Sequence, residues 1–279
     1  IDGVSRTVSA TWRSISQFTT SSSDFETETG TLGLDYSWPL TEFQSVRMGF
    51  AAQRSDLFTD PNSSAAEALY WVQNNGNTYT EVQTVGIPPI ALTYYGTRFD
   101  TFEYSLGWSF DSRNRALFAD RGARHRVSAS YALPFSDVDF VSFNYDYLQF
   151  IPVSKWFTLM FNSEAGYGQA LGDTTSMPPY RRFFAGGPET VRGYRESRMG
   201  PKDSFGNPYG GNIKFTNQFE LLLPMPAKWR NSARFSLFFD IGNVFSNDDV
   251  AYVGRDGVTP VDYEFSFDKL RYSTGVAVQ

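Results

Sequence analysis

The sequence contains no cysteine and a single histidine, His125. The first absence removes any disulfide framework and any thiolate metal site. The second leaves a serine nucleophile only one imidazole to serve as its base. Long apolar runs are missing too: no stretch reaches the 18 or so residues of a membrane-spanning helix. Charge is sparse at 19% of residues, and the balance of −6, with a pI near 4.9, argues against nucleic acid as a partner. The opening IDGVSRTVSATW has neither a basic start nor an apolar core, so it is expected to be a cut inside something longer, without a signal peptide.

Large rings are abundant. The chain has 26 Phe, 16 Tyr and 6 Trp, yet its mean hydropathy is only −0.35. Soluble cores favour Leu, Ile and Val, whereas rings in a chain of low overall hydropathy suit strands bordered by aromatic belts.

Period-two alternation recurs about ten times. In VSFNYDY, Val141, Phe143, Tyr145 and Tyr147 point one way and Ser142, Asn144 and Asp146 the other. FTLMFNSEAGY sets Phe157, Leu159, Phe161, Ala165 and Tyr167 against Thr158, Asn162, Glu164 and Gly166. LRYSTGVAVQ does the same, and similar segments fall near Val4–Ser14, Thr31–Pro39, Ser45–Gln53, Thr101–Asp111, Arg124–Leu133, Ile213–Leu222 and Arg234–Val244. One face is apolar in strand after strand; the other carries Gly, Ser, Asn, Asp and Arg. That polarity predicts an all-β fold, an antiparallel transmembrane β-barrel with lipid outside and a wet lumen. A soluble barrel or sandwich alternates as well and stays open at this point.

Connection lengths form a second regularity. Short turns (PLTEFQ, IPVSK, PMPAKWRN) alternate with long polar connections at Ser14–Gly30, Ser55–Gly96, Ala170–Gly210 and Ser246–Phe265, with LPFSDVD a short exception on the long side. Within the second long connection, SSAAEALYWVQNN predicts a brief surface helix capped by Ser63 or Ser64. One domain, residues 1–279, is the simplest organisation.

The stretch GGPETVRGYRESRMGP, Gly186–Pro201, holds four glycines, two prolines and three arginines and forms neither helix nor strand. Downstream, Glu220 shares the polar register with Lys214, Thr216 and Gln218, and Asp240 shares it with Arg234, Ser236 and Gly242. Both acids should face the lumen from adjacent strands. An arginine folded inside could meet both with its planar fork, and Gly193 beside Arg192 would permit the backbone this needs. Arginines left in water are the alternative, and spacing alone does not decide between them.

FFAGGPETVRGYRESRMGPKD resembles the signature loop of the BamA/outer-membrane insertase superfamily, with Val191, Arg192, Gly193 and Tyr194 as its VRG(F/Y) motif. FFDIGNVF and STGVAVQ resemble the strands after that loop. DSRNRALFADRGARHRVSASYALP resembles the strand–turn–strand before it, although Ala119 stands where proline is commoner. The resemblance implies that Arg192 anchors the loop and that Glu220 and Asp240 are its lumenal partners. It implies a larger barrel of about sixteen strands, here without its first strands, its last strands and the periplasmic POTRA domains. It also implies residence in the bacterial outer membrane, and a core role in an assembly machinery that folds and inserts β-barrel proteins by strand templating and membrane thinning. Expected partners are outer-membrane lipids, unfolded barrel clients, accessory lipoproteins and periplasmic chaperones; no cofactor and no metal are expected.

Two rival functions remain, a two-partner-secretion transporter of the same superfamily and a passive porin. Enzymatic readings are weak. His125 lies between arginines near a turn and is expected to be a solvated rim residue. Glu103, Asp111, Asp146 and Glu164 could line a lumen, but no spacing marks an acid/base pair. Asp203–Asn212 lacks the acidic ladder of a calcium loop.

Overall fold

The computed structural model describes residues 3–16, 25–59, 65–85, 89–224, 234–253 and 259–278. Among these, eleven strands form one antiparallel sheet: β1 (Ser5–Ser16), β2 (Phe25–Pro39), β3 (Gln44–Thr59), β4 (Asn77–Val85), β5 (Ile90–Asp111), β6 (Gly122–Ala132), β7 (Asp139–Pro152), β8 (Thr158–Leu171), β9 (Ile213–Leu222), β10 (Phe235–Phe245) and β11 (Arg271–Val278). Sequence neighbours pair throughout except around β4, which lies off the main path against β5 alone, while β3 and β5 pair directly. The sheet is not closed, and β1 and β11 form its ends.

Ten of these strands are the ten that alternation predicts. The eleventh, β4, corrects the count: NTYTEVQTV lies inside the presumed Ser55–Gly96 connection and pairs with the outer half of β5. With 22 residues, β5 is about twice the ~9–11 that cross a bilayer at a tilt, so its outer half stands clear of the membrane with β4 beside it. The first connection is also shorter than expected, because β1 runs to Ser16 and β2 starts at Phe25; most of PMPAKWRN lies outside the described residues.

Register separates the two faces. Glu103, Ser105, Gly107 and Ser109 of β5 oppose Ala132, Ser130, Ser128 and Arg126 of β6 on the polar side. Outward, Val8, Trp12, Leu32, Tyr272 and Val276 are each at least 66% exposed in the isolated chain, an unfavourable arrangement in water and a favourable one in lipid. Rings run from strand to strand across this outer face near the short-turn end, through Trp108, Phe110, Tyr145, Tyr147, Phe161, Phe219 and Phe239. His125 belongs to this belt rather than to a solvated rim. Its odd position in β6 turns it outward, away from Arg124 and Arg126, where its ring stacks 4.6 Å from Tyr147 and its Nδ1 lies 2.9 Å from the Tyr145 hydroxyl.

The largest apolar core lies in the long loops, not in the wall. Trp71 and Val72 of α1 (Ala66–Asn74) pack with Leu57, Phe99, Val138, Phe140, Met177, Tyr209 and Tyr252. The helix therefore has a buried face. Its predicted caps, Ser63 and Ser64, lie outside the described residues; the N-cap is Ala65, which makes no side-chain cap bond. The cap comes instead from a distant loop. Ser204 Oγ accepts the Ala66 N–H at 3.1 Å, and Glu67 Oε2 accepts the Ser204 N–H at 3.0 Å, a reciprocal pair made between segments.

Candidate functional site

Between β8 and β9 the chain leaves the wall for about forty residues and returns through the lumen. Bridges at Phe183–Gly211 and Ala185–Met199 zip this loop into an irregular hairpin. At its tip the Thr190 hydroxyl accepts the Gly186 N–H at 2.8 Å, and the Tyr194 carbonyl accepts the Gly187 N–H at 3.1 Å. Val191, fully buried, packs with Ala185, Met199 and Val244. A breaker-rich segment is thus held in place by local turns and by one apolar plug against β10.

The four predicted loop residues and both predicted acids meet at this tip. Arg192 donates from Nε to Asp240 Oδ2 at 2.7 Å and from Nη2 to Asp240 Oδ1 at 2.6 Å, a two-pronged contact. Its Nη1 reaches Glu220 Oε1 at 2.5 Å, and its backbone N–H also donates to Asp240 at 2.9 Å. Asp240 is 0% exposed and Glu220 2%. Gly193 takes φ +85°, a left-handed conformation that costs other residues but not glycine. Tyr194 donates its hydroxyl to the Tyr272 carbonyl of β11 at 3.3 Å, so the tip touches three consecutive strands.

Depth matters as much as contact. Glu220 is the eighth residue of β9 from the loop end, about 23 Å along the strand at ~3.3 Å per residue. The guanidinium is therefore far below the rim, and with both acids buried each carboxylate needs its partner.

Two participants were not predicted. Phe238 lies in the polar register of β10, two residues before Asp240, and its ring faces the Arg192 guanidinium at 3.9 Å. A Cβ on Gly275 would sit 2.9 Å from that ring, so glycine opens the slot it occupies. An aromatic in an otherwise polar register was the available signal. Gln218 also contributes, donating to the Pro188 carbonyl at 3.1 Å.

A second buried pair ties the loop to its neighbour. Arg182 meets Asp248 at 2.8 Å with side chains 0% and 1% exposed, bonds the Tyr252 hydroxyl at 2.9 Å, and stacks 4.5 Å from Tyr209. Burial pushes the Asp248 carboxyl above its ordinary value, against the pull of Arg182. No sequence period links these loop positions.

The other predicted lumenal carboxylates are dispersed. Glu103 pairs with Arg181, Asp111 with Arg113 and Glu164 with Lys214, while Asp146 faces Glu164 across β7 and β8 with no cation within 4 Å among the described residues. Among the described residues no group of three His, Cys, Asp or Glu has the geometry to hold a metal. Asp203 caps a turn, accepting from the N–H groups of Phe205 and Asn207.

Comparison with known proteins agrees with this architecture. The Omp85 superfamily domain matches residues 2–279. The outer membrane protein assembly factor BamA of Neisseria meningitidis serogroup B (strain ATCC BAA-335 / MC58) is 33% identical over 275 residues, covering 93% of this chain. The chain spans 33% of that relative's length. The crystal structure of BamA from Haemophilus ducreyi lacking POTRA domains 1–3 superposes with a TM-score of 0.80 at 20% identity, over 100% of this chain and 53% of that one. An unclosed antiparallel sheet with an apolar outer face, a polar lumen and a loop folded inside it belongs to the outer membrane of a bacterium, and this chain is a member of the Omp85 superfamily.

Proposed function

We propose that the protein containing this chain inserts and folds β-barrel proteins into the outer membrane, without a catalytic residue or nucleotide, by strand templating and local thinning of the bilayer. Its clients would be unfolded barrel proteins delivered by periplasmic chaperones, and accessory lipoproteins would complete the machinery. The observation that carries this reading is the 33% identity to BamA over 93% of the chain, in which the Arg192 fork holds the loop inside the wall. Val191 to Tyr194 act as the loop anchor, with Glu220 and Asp240 as its seat. A rigid loop seated on β9, β10 and β11 would fix the shape of that wall while strands elsewhere part and re-pair.

Reconstitution tests this. Full-length protein in liposomes should accelerate folding of a urea-denatured eight-stranded barrel client, read as its heat-modifiable gel shift, and Arg192→Ala should reduce the rate at least tenfold. Failure of the wild-type protein to accelerate folding, with secretion of a polypeptide through the lumen instead, would favour the two-partner-secretion reading.

A further inference from the structure

The short-turn side of the sheet carries a small recess that the loop anchor does not use. The β5–β6 connection, residues 112–121, folds under the lumen instead of turning into solvent. Asn114 ties its arms together, its Oδ1 accepting the N–H groups of Asp120 and Arg121 and its Nδ2 donating to Asp120. Ala119 is buried against Phe150 and Leu222. Phe118 is held at φ +53°, a conformation a bulky residue leaves unless its surroundings enforce it.

That strain positions the Phe118 ring against Arg234, the residue before β10. The half-buried guanidinium lies 5.1 Å from Phe118 and 5.6 Å from Phe150, and donates to the Ala119 carbonyl at 2.5 Å. Among the described residues no carboxylate comes within 4 Å of it, although a guanidinium taken from water needs an anionic partner. Burial pushes Arg234 below its ordinary value; the more distant Asp120 and Glu220 oppose this, and Arg115 adds to it. Arg234 fronts a recess of about 150 Å³ lined by Arg115, Phe118, Lys155, Trp156 and Leu223, with Asp120 as the one carboxylate. Among the described lining residues Arg234 and Lys155 thus face one acid, with an apolar floor beside them.

Size and register choose the occupant. A space of 150 Å³ admits one or two side chains, not a folded ligand. Thr158, Leu222 and Arg234 lie in the lumenal register, whereas lipid headgroups meet the opposite face. We infer that this recess captures an acidic side chain of an extended polypeptide at the periplasmic mouth, its carboxylate on Arg234 and a neighbouring apolar group against Trp156 and Leu223. The capture does not depend on whether the protein inserts or exports its clients.

The test uses full-length protein in nanodiscs and two dye-labelled peptides, one alternating Asp with Phe and one alternating Asn with Phe, read by fluorescence anisotropy. The Asp peptide should bind at least tenfold tighter. Arg234→Gln should cut that preference to within twofold, Arg234→Lys should retain most of it, and Lys155→Gln, at an exposed position, should weaken it severalfold without affecting folding. Equal binding of both peptides to the wild-type protein, or an undiminished preference in both Arg234→Gln and Lys155→Gln, would overturn the assignment. So would loss of the preference when phosphatidylglycerol replaces phosphatidylcholine in the nanodisc, which would give the recess to a lipid phosphate.

Discussion

Replacing Arg192 with alanine removes three charge-assisted hydrogen bonds and a cation–π contact at one stroke. Asp240 and Glu220 would be left without their cation at 0% and 2% exposure. Orphaning a buried charge costs about 3–5 kcal/mol. The loss cannot exceed the free energy that docks the loop, because an undocked tip lets water reach both acids. At about 1.4 kcal/mol per tenfold, the docked state should lose roughly two to three and a half orders of magnitude in population. Trypsin added outside intact cells reads this directly, since Arg195 and Arg198 follow the anchoring Arg192 in the same loop and an undocked tip would carry them out of the lumen to the protease. Cleavage in this loop should become about a hundredfold faster or more in Arg192→Ala. Adding Asp240→Asn should return part of the loss by removing one of the orphaned charges. Cleavage at the wild-type rate in the single variant would refute the reasoning, because it would mean that the two acids do not depend on the arginine.

Other outcomes follow from the same geometry. Gly193→Ala should weaken docking by roughly 1–2 kcal/mol through its positive φ alone, since an added Cβ stands 3.6 Å from Ser273 Cβ and meets no clash; trypsin cleavage should rise about tenfold. Arg182→Ala should orphan Asp248 at a cost of about 3–5 kcal/mol, and hydrogen exchange should show lost protection in residues 66–74 and 246–253; adding Asp248→Ala should restore much of it. Met48→Arg on the outer face should destabilise the barrel by about 2–4 kcal/mol in urea titrations, while Ser128→Arg on the lumenal face should change it little.

The wall was legible because its chemistry has period two. Glu220 and Asp240 sit inside for the same reason that Phe219 and Phe239 sit outside, and one-residue alternation leaves no other register. The tip was legible in part. Gly193 and the arginines flagged an unusual backbone, yet the depth of insertion depends on contacts of Val191 and Thr190 that no local pattern encodes. The strand β4 was missed because its nine residues are mostly polar on both faces, as they can be on a strip of sheet above the membrane. Flanking arginines give His125 a solvated look in the sequence, but on a strand adjacent residues point apart and its ring faces outward. The helix cap and the Arg182–Asp248 pair join segments more than sixty residues apart, and nothing short of the fold brings them together.

The lumenal seating of Gly193 beside β11 can be measured in a chain that has no cysteine of its own among these 279 residues. Cysteines at 193 and 273 would place their Cβ atoms about 3.6 Å apart, within the range that a disulfide spans. Mild oxidation of the doubly substituted, full-length protein in native outer membranes should join the two positions nearly completely, and reduction should release them. Free thiols at both positions after oxidation, in protein that still shows the gel shift of a folded barrel, would contradict a tip buried against the wall.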